Sequence, residues 1–127
     1  MSAAVTISGI AQISINARDL DRAAAFYRDA LGLPFLFAAP KMAFFQCGAV
    51  RLMVALPEEP RYDHPSSIIY FKADDIEAAH AALSARGVRF LGPPHVVHRA
   101  PGLELWMAFF EDSEGNTLAL TCEKRIA

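Results

Sequence analysis

The sequence predicts an α+β fold: two βαβββ modules whose eight strands curve into an open barrel, with two helices outside and a cup within. Three observations carry that prediction. The pentapeptide MAFFQ at 42–46 returns 65 residues later as MAFFE at 107–111. The rest of each half aligns in chain order around it, at offsets of 56, 55, 65 and 66 residues, as a duplication with loop insertions requires. Each half also runs through the same succession of periods: alternation, a helical stripe, then short strand-like runs.

The first module is expected over about 8–56, a linker over 57–65 and the second module over about 66–122, with 1–127 forming one domain. Residues 8–17 alternate, Ile13 and Ile15 against Gln12, Ser14 and Asn16, which marks a half-buried strand. Asp19 suits an N-cap, and Leu20, Ala23, Ala24, Tyr27 and Leu31 make a helical stripe that Gly32 ends. Strands at about 33–39, 41–47 and 50–56 follow, and Cys47-Gly48-Ala49-Val50 suits a two-residue hairpin between the last two. PEEPRYDHP, with three prolines, is the linker. The second half predicts a strand at 66–73, a helix at 75–86 ending at Gly87, and strands near 88–92, 104–111 and 117–122. GPPHVVHRAPG, 92–102, reads as an irregular loop. In the duplication Ile13 falls on Ile69, Asp19 on Asp75, Phe35 on Phe90 and Leu52 on Leu118.

A chain of 127 residues with 54% apolar content has the length and composition for a real core and does not read as disordered. A net charge of −2 with interspersed signs gives no footprint for nucleic acid or a membrane surface. No apolar run approaches the ~20 residues of a membrane span. The start MSAAVTISGI has neither the basic beginning nor the long apolar centre of a secretory signal. Cys47 and Cys122 lack CxxC spacing and fit a reducing compartment. The expectation is a soluble cytoplasmic protein without nucleic-acid or membrane partners.

DLDRAAAFYRDALGL (19–33), DDIEAAHAALSARGVRF (74–90) and FFEDSEGNTLAL (109–120) resemble the vicinal oxygen chelate superfamily, the group of glyoxalase I, bleomycin-resistance proteins and extradiol dioxygenases. The resemblance covers nearly the whole chain in order; Ser113 stands where proline is usual. It implies paired βαβββ modules, homodimers that complete their barrels across two chains, and, in metal-dependent members, a divalent ion in the cup. The ligand positions it implies fall on Gln12, Met53, Ile68 and Ala119. Isoleucine and alanine offer no side-chain donor, and a thioether suits a hard divalent ion poorly. The sequence therefore predicts no metal and no cofactor. His95 and His98, three apart in an extended segment, should point to opposite faces, and Pro93-Pro94 opposes a helix that would align them. His64 in the linker and His80 on the second helix read as ordinary surface or hydrogen-bonded histidines, and both cysteines as core.

Strand parity then names the cup. Gln12, Ser14, Arg51, Met53, Ile68, Tyr70, Thr117 and Ala119 share the parity of the ligand positions, with Asn16, Lys72 and Thr121 beside them. Matching the hairpin of the family motif adds Met107, Phe109 and Glu111, and by the repeat Met42, Phe44 and Gln46. Such a mixed face suits a small-molecule pocket. Glu111, the one acid expected there, is a candidate general base facing Arg51 and Lys72. Three functions follow: a metal-free protein sequestering an aromatic or drug-like compound; a diverged lyase, isomerase or dioxygenase using Glu111 or an atypical metal; or a non-catalytic dimeric interaction protein with a closed cup.

Overall fold

The computed structural model describes residues 5–127; residues 1–4, part of the start read above for a secretory signal, lie outside the described residues. The first half runs β1 (Gln12–Asn16), α1 (Leu20–Ala25) prolonged by a π-helical turn (Phe26–Ala30), β2 (Phe35–Ala39), β3 (Met42–Cys47) and β4 (Val50–Ala55). A 3-10 turn, Pro60–Tyr62, lies in the linker. The second half runs β5 (Ile69–Lys72), α2 (Ile76–Ala85), β6 (Arg89–Phe90), β7 (His95–Ala100), β8 (Leu103–Glu111) and β9 (Thr117–Arg125).

Both helices start where the sequence places them. The Asp19 carboxylate accepts from the Arg22 N–H at 3.1 Å, and that of Asp75 from the Ala78 N–H at 3.0 Å. Each thereby satisfies a donor that the first turn leaves free. Gly32 and Gly87 then reverse the chain with φ of +73° and +88°, a conformation that only glycine adopts without strain.

The strands form two separate sheets, β1-β4-β3-β2 and β5-β9-β8-β6 with β7 also on β8, rather than one continuous eight-stranded barrel. Their registers reproduce the duplication residue by residue. Ile13 pairs with Leu52 and Phe45 with Leu52 in the first sheet; Ile69 pairs with Leu118 and Phe110 with Leu118 in the second. Phe35 opposes Phe45 as Phe90 opposes Phe110.

Three expectations need correction. The segment 92–102 is not an irregular loop, because His95–Ala100 forms β7 along β8. Gly92, Pro93 and Pro94 fall in the break between β6 and β7, where no ladder N–H is required, so one long partner of β8 is split in two. A register shift between Val96 and His98 sets His95 against Met107 and His98 against Leu105. Those partners are two apart on β8, so the bulge puts both histidines on one face instead of opposite faces. Finally, β1 is shorter than 8–17: residues 5–11 join no strand, and Val5, Ile7 and Ile10 are exposed.

The helix-covered sides of both sheets contribute to one core, in which Ile15, Phe45, Leu52 and Val54 of the first half join Ile76, Leu83, Phe110 and Leu118 of the second. Tyr27, wholly buried, lies among them, its ring centroid 6.1 Å from that of Phe45. Both open faces therefore look away from this shared core. The turn between β8 and β9 fixes the halves together. Its Asp112, 7% exposed, accepts from the Tyr27 hydroxyl at 2.6 Å, from the Glu114 and Asn116 N–H groups and from the Asn116 amide, each at 2.8 Å. The Asn116 amide also donates to the Asn16 carbonyl at 2.8 Å. Burial beside Asp112 pushes the Tyr27 hydroxyl far above the usual tyrosine range, so it remains a neutral donor. Among the described residues no helix is long and apolar enough to cross a membrane.

Candidate binding cup

Register and alternation set the predicted residues in rows on the open faces. On the first sheet the rows are Gln12–Arg51–Gln46, Ser14–Met53–Phe44 and Asn16–Ala55–Met42. On the second they are Thr117–Glu111, Tyr70–Ala119–Phe109 and Lys72–Thr121–Met107, with Ile68 just before β5. Every substrate-binding candidate thus stands on the side away from the helices. Side by side in space they form two sets, one on each sheet.

A cavity of about 430 Å³ opens on the first face. Ser14, Asn16, Met42 and Met53 form its sheet side, and Tyr62, His64, Ser66 and Ser67 of the connecting segment its other wall. That segment is held to β1 by the Asn16 amide, which donates to the carbonyls of Tyr62 and His64 at 2.8 Å, and by the Ser66 hydroxyl, which accepts from the Asn16 N–H at 3.0 Å. Tyr70, Phe109, Thr117 and Ala119 do not line this cavity. Their face carries its own aromatic set, with Tyr70 and Phe109 edge-to-face at 6.0 Å and the His95 ring stacked on Phe109 at 6.3 Å. Tyr70 is 46% exposed.

His95, Phe37 and the connecting segment are cup residues that the sequence did not give. Phe37 stacks on Phe44 at 4.3 Å because a bulge between Phe35 and Phe37 turns these two residues to opposite sides of β2. Parity counting assumes an unbroken ladder, so it sets His95 and His98 on opposite faces and leaves Phe37 unassigned. No local pattern marks Tyr62, His64, Ser66 and Ser67, which reach the cavity only through the path of the linker.

The electrostatics also differ from expectation. Glu111 is paired with Arg89 at 3.2 Å, a partner across the β6–β8 ladder, and not with Arg51 or Lys72. Arg51 instead donates from Nε to the Gln12 side-chain oxygen at 2.8 Å, and its guanidinium lies 5.4 Å from the centroid of the Phe44 ring. The Gln12 amide reaches the Met53 sulfur at 3.7 Å. Cys122 is buried and Cys47 half-buried, both unpaired, and burial pushes the Cys47 thiol up.

The four positions at which the resemblance implies metal ligands thus offer one amide oxygen, already accepting from a cation, one thioether, and two side chains without donors. This set does not fit a hard divalent ion. Among the described residues no group of three or more His, Cys, Asp and Glu side chains gathers to hold a metal.

A paired-module α+β protein with open faces of mixed polar and apolar side chains is the class these features define. A family profile for the glyoxalase/bleomycin resistance protein/dioxygenase superfamily matches residues 9–120, and the chain belongs to that superfamily. It is 30% identical over 125 residues to a glyoxylase-like domain-containing protein of Didymella fabae, covering 87% of this chain and 91% of that protein. Among solved structures it resembles a lactoylglutathione lyase from Agrobacterium tumefaciens, with 26% identity, 91% and 94% of the two chains covered and a TM-score of 0.70. It also shares the fold of TnmS3, an antibiotic binding protein from Streptomyces sp. CB03234, at 24% identity, 95% and 100% coverage and a TM-score of 0.76.

Proposed function

We propose that this protein binds a flat, largely apolar small molecule without a metal, in a cup that a second copy completes. The observation that carries the reading is the mixed lining of a cavity of about 430 Å³ on the first open face, Met42, Met53 and Leu56 beside Ser14, Asn16 and Glu58, with Phe44 next to Met53 in the adjoining row. That volume lies in the range of small-molecule sites, and methionine and aromatic walls adapt to a planar guest. The donor-poor set at Gln12, Met53, Ile68 and Ala119 supports the metal-free part, and the antibiotic-binding protein of the same fold gives one precedent for such a use of the architecture. Because the two aromatic faces turn away from one shared core, the second face meets the first most simply when supplied by a partner chain, so we infer a homodimer.

The test is a thermal-shift screen of aromatic compounds on the metal-stripped protein, with mass in solution measured alongside. Stabilisation that persists in chelator, by a dimeric species, is the expected result. No stabilisation by any aromatic class would refute binding, and a monomeric mass would refute the shared cup. Catalysis by Glu111 is the competing reading. It has less support because Arg89 already occupies the carboxylate, and loss of a turnover in Glu111→Gln with ligand binding intact would restore it.

A further inference from the structure

The geometry points to an anionic ligand: a planar apolar molecule whose carboxylate seats on the Arg51 guanidinium, beside Gln12. This rests on the binding reading above and adds the charge of the guest.

Arg51 differs from six of the other eight arginines of the chain; Arg86, which donates to the Ala30 carbonyl, and Arg125 share its lack of an acid partner among the described residues. Arg18, Arg22, Arg28, Arg61, Arg89 and Arg99 each reach a carboxylate within 3.2 Å. Arg51 is instead held by a neutral amide through Nε and by the Phe44 ring, and among the described residues no acid accepts from its two terminal nitrogens. It stands on β4 between Gln12 and Gln46, two residues from Met53, so its fork is part of the row beside the apolar cavity wall. Gln46 is turned back on its own hairpin, donating to the Gly48 carbonyl, and offers Arg51 no charge. The acid that parity assigns to the cup, Glu111, is taken by Arg89, and Glu58, which lines the cavity, makes no ion pair with Arg51.

Arg51 is exposed, its Nε is held by Gln12, and its remaining N–H groups match a carboxylate in parallel. Phe37, 46% exposed and stacked on the buried Phe44 at 4.3 Å, provides a flat shelf near the charge. An apolar ring with an ionised carboxylate complements both. A neutral guest of the same shape would leave the fork to water.

The experiment is titration calorimetry on the full chain with 2-naphthoate and 2-naphthamide, which differ in charge and hardly in shape, repeated on Arg51→Gln and Arg51→Lys. A charge-assisted pair of hydrogen bonds corresponds to about ten- to a hundredfold in affinity. The carboxylate should therefore bind the wild type at least tenfold tighter than the amide. Arg51→Gln should erase that preference, and Arg51→Lys should keep part of it. Equal binding of the two compounds by the wild type, a comparison that needs no variant, would overturn the inference, as would a preference that survives Arg51→Gln. If neither naphthyl compound binds but neutral aromatics in the thermal-shift panel do, the anion is refuted and the binding cup stands. If nothing in either set binds, both fall.

Discussion

Replacing Glu114 by glutamine removes one charge from the contact between the two halves while keeping the side chain's shape. The Glu114 side chain is 1% exposed and accepts from the Arg18 and Asp19 N–H groups at 2.7 Å, from the Arg22 guanidinium at 2.7 and 3.0 Å, and from the Ser113 hydroxyl at 2.8 Å. Burial opposes the charge, but the Arg22 guanidinium and the donated N–H groups outweigh it and hold the carboxyl well below the usual range, at about 2 instead of 4.5. At ~1.4 kcal/mol per pH unit that gap corresponds to roughly 3 kcal/mol, and the half-exposed Arg22 reduces it to about 2 kcal/mol. The folded-state value is depressed, so the stabilisation is complete above about 4.5 and disappears as pH falls towards 2. Urea unfolding followed by the fluorescence of Trp106, the only tryptophan, is the assay, at matched protein concentration because a dimer links stability to concentration. Glu114→Gln should be about 2 kcal/mol less stable at neutral pH, with the difference shrinking steadily below pH ~4.5. A loss under about 0.5 kcal/mol, typical of an exposed ion pair, or a loss equally large at pH 3, would refute the assignment of a buried, charge-dependent clamp.

Tyr27→Phe deletes the 2.6 Å bond to buried Asp112 and should cost about 1–3 kcal/mol in the same urea assay, because the acid is left short of a donor. Gly87→Ala forces a side chain into φ +88° and should lower stability by about 1–2 kcal/mol, with the melting temperature falling accordingly and no change in ligand affinity. Phe44→Ala removes the floor beneath Arg51; if the cup binds aromatics, affinity by calorimetry should drop at least tenfold, on the order of one lost aromatic contact of ~1.4 kcal/mol or more. Adding zinc or nickel to the metal-stripped protein should leave its melting temperature unchanged, and a saturable rise would show that other donors than those at Gln12 and Met53 assemble a site.

Much of the fold could be read because the duplication offers the same evidence twice. The pairing of Ile13 with Leu52 has its counterpart in Ile69 with Leu118, and either half alone would have left the strand positions looser. Alternation also survives wherever one face is core, so Gln12, Ser14, Arg51, Met53, Tyr70 and Ala119 came out on the open side. It fails at the two bulges, where one inserted residue reverses the parity of everything beyond it; Phe37 and His95 are the casualties. β7 was hidden by Pro93 and Pro94, which mark a real interruption but not the end of pairing with β8. The partner of Glu111 depends on which residue of β6 lies opposite, and a two-residue strand has too little pattern to reveal it.

The most recognisable stretch of the chain, FFEDSEGNTLAL, explains why membership in the superfamily and retention of its chemistry can separate. Phe110 and Leu118 fill the core, Asp112 and Asn116 bind Tyr27 and the end of β1, and Glu114 receives the start of α1. Each of these contacts sets how the modules meet, and none needs a metal or a particular guest. The positions at which the resemblance implies metal ligands, Gln12, Met53, Ile68 and Ala119, make none of these contacts. The row Gln12–Arg51–Gln46 lies outside that motif, on an open face that takes no part in the joint, and it is there that the proposed binding is to be tested.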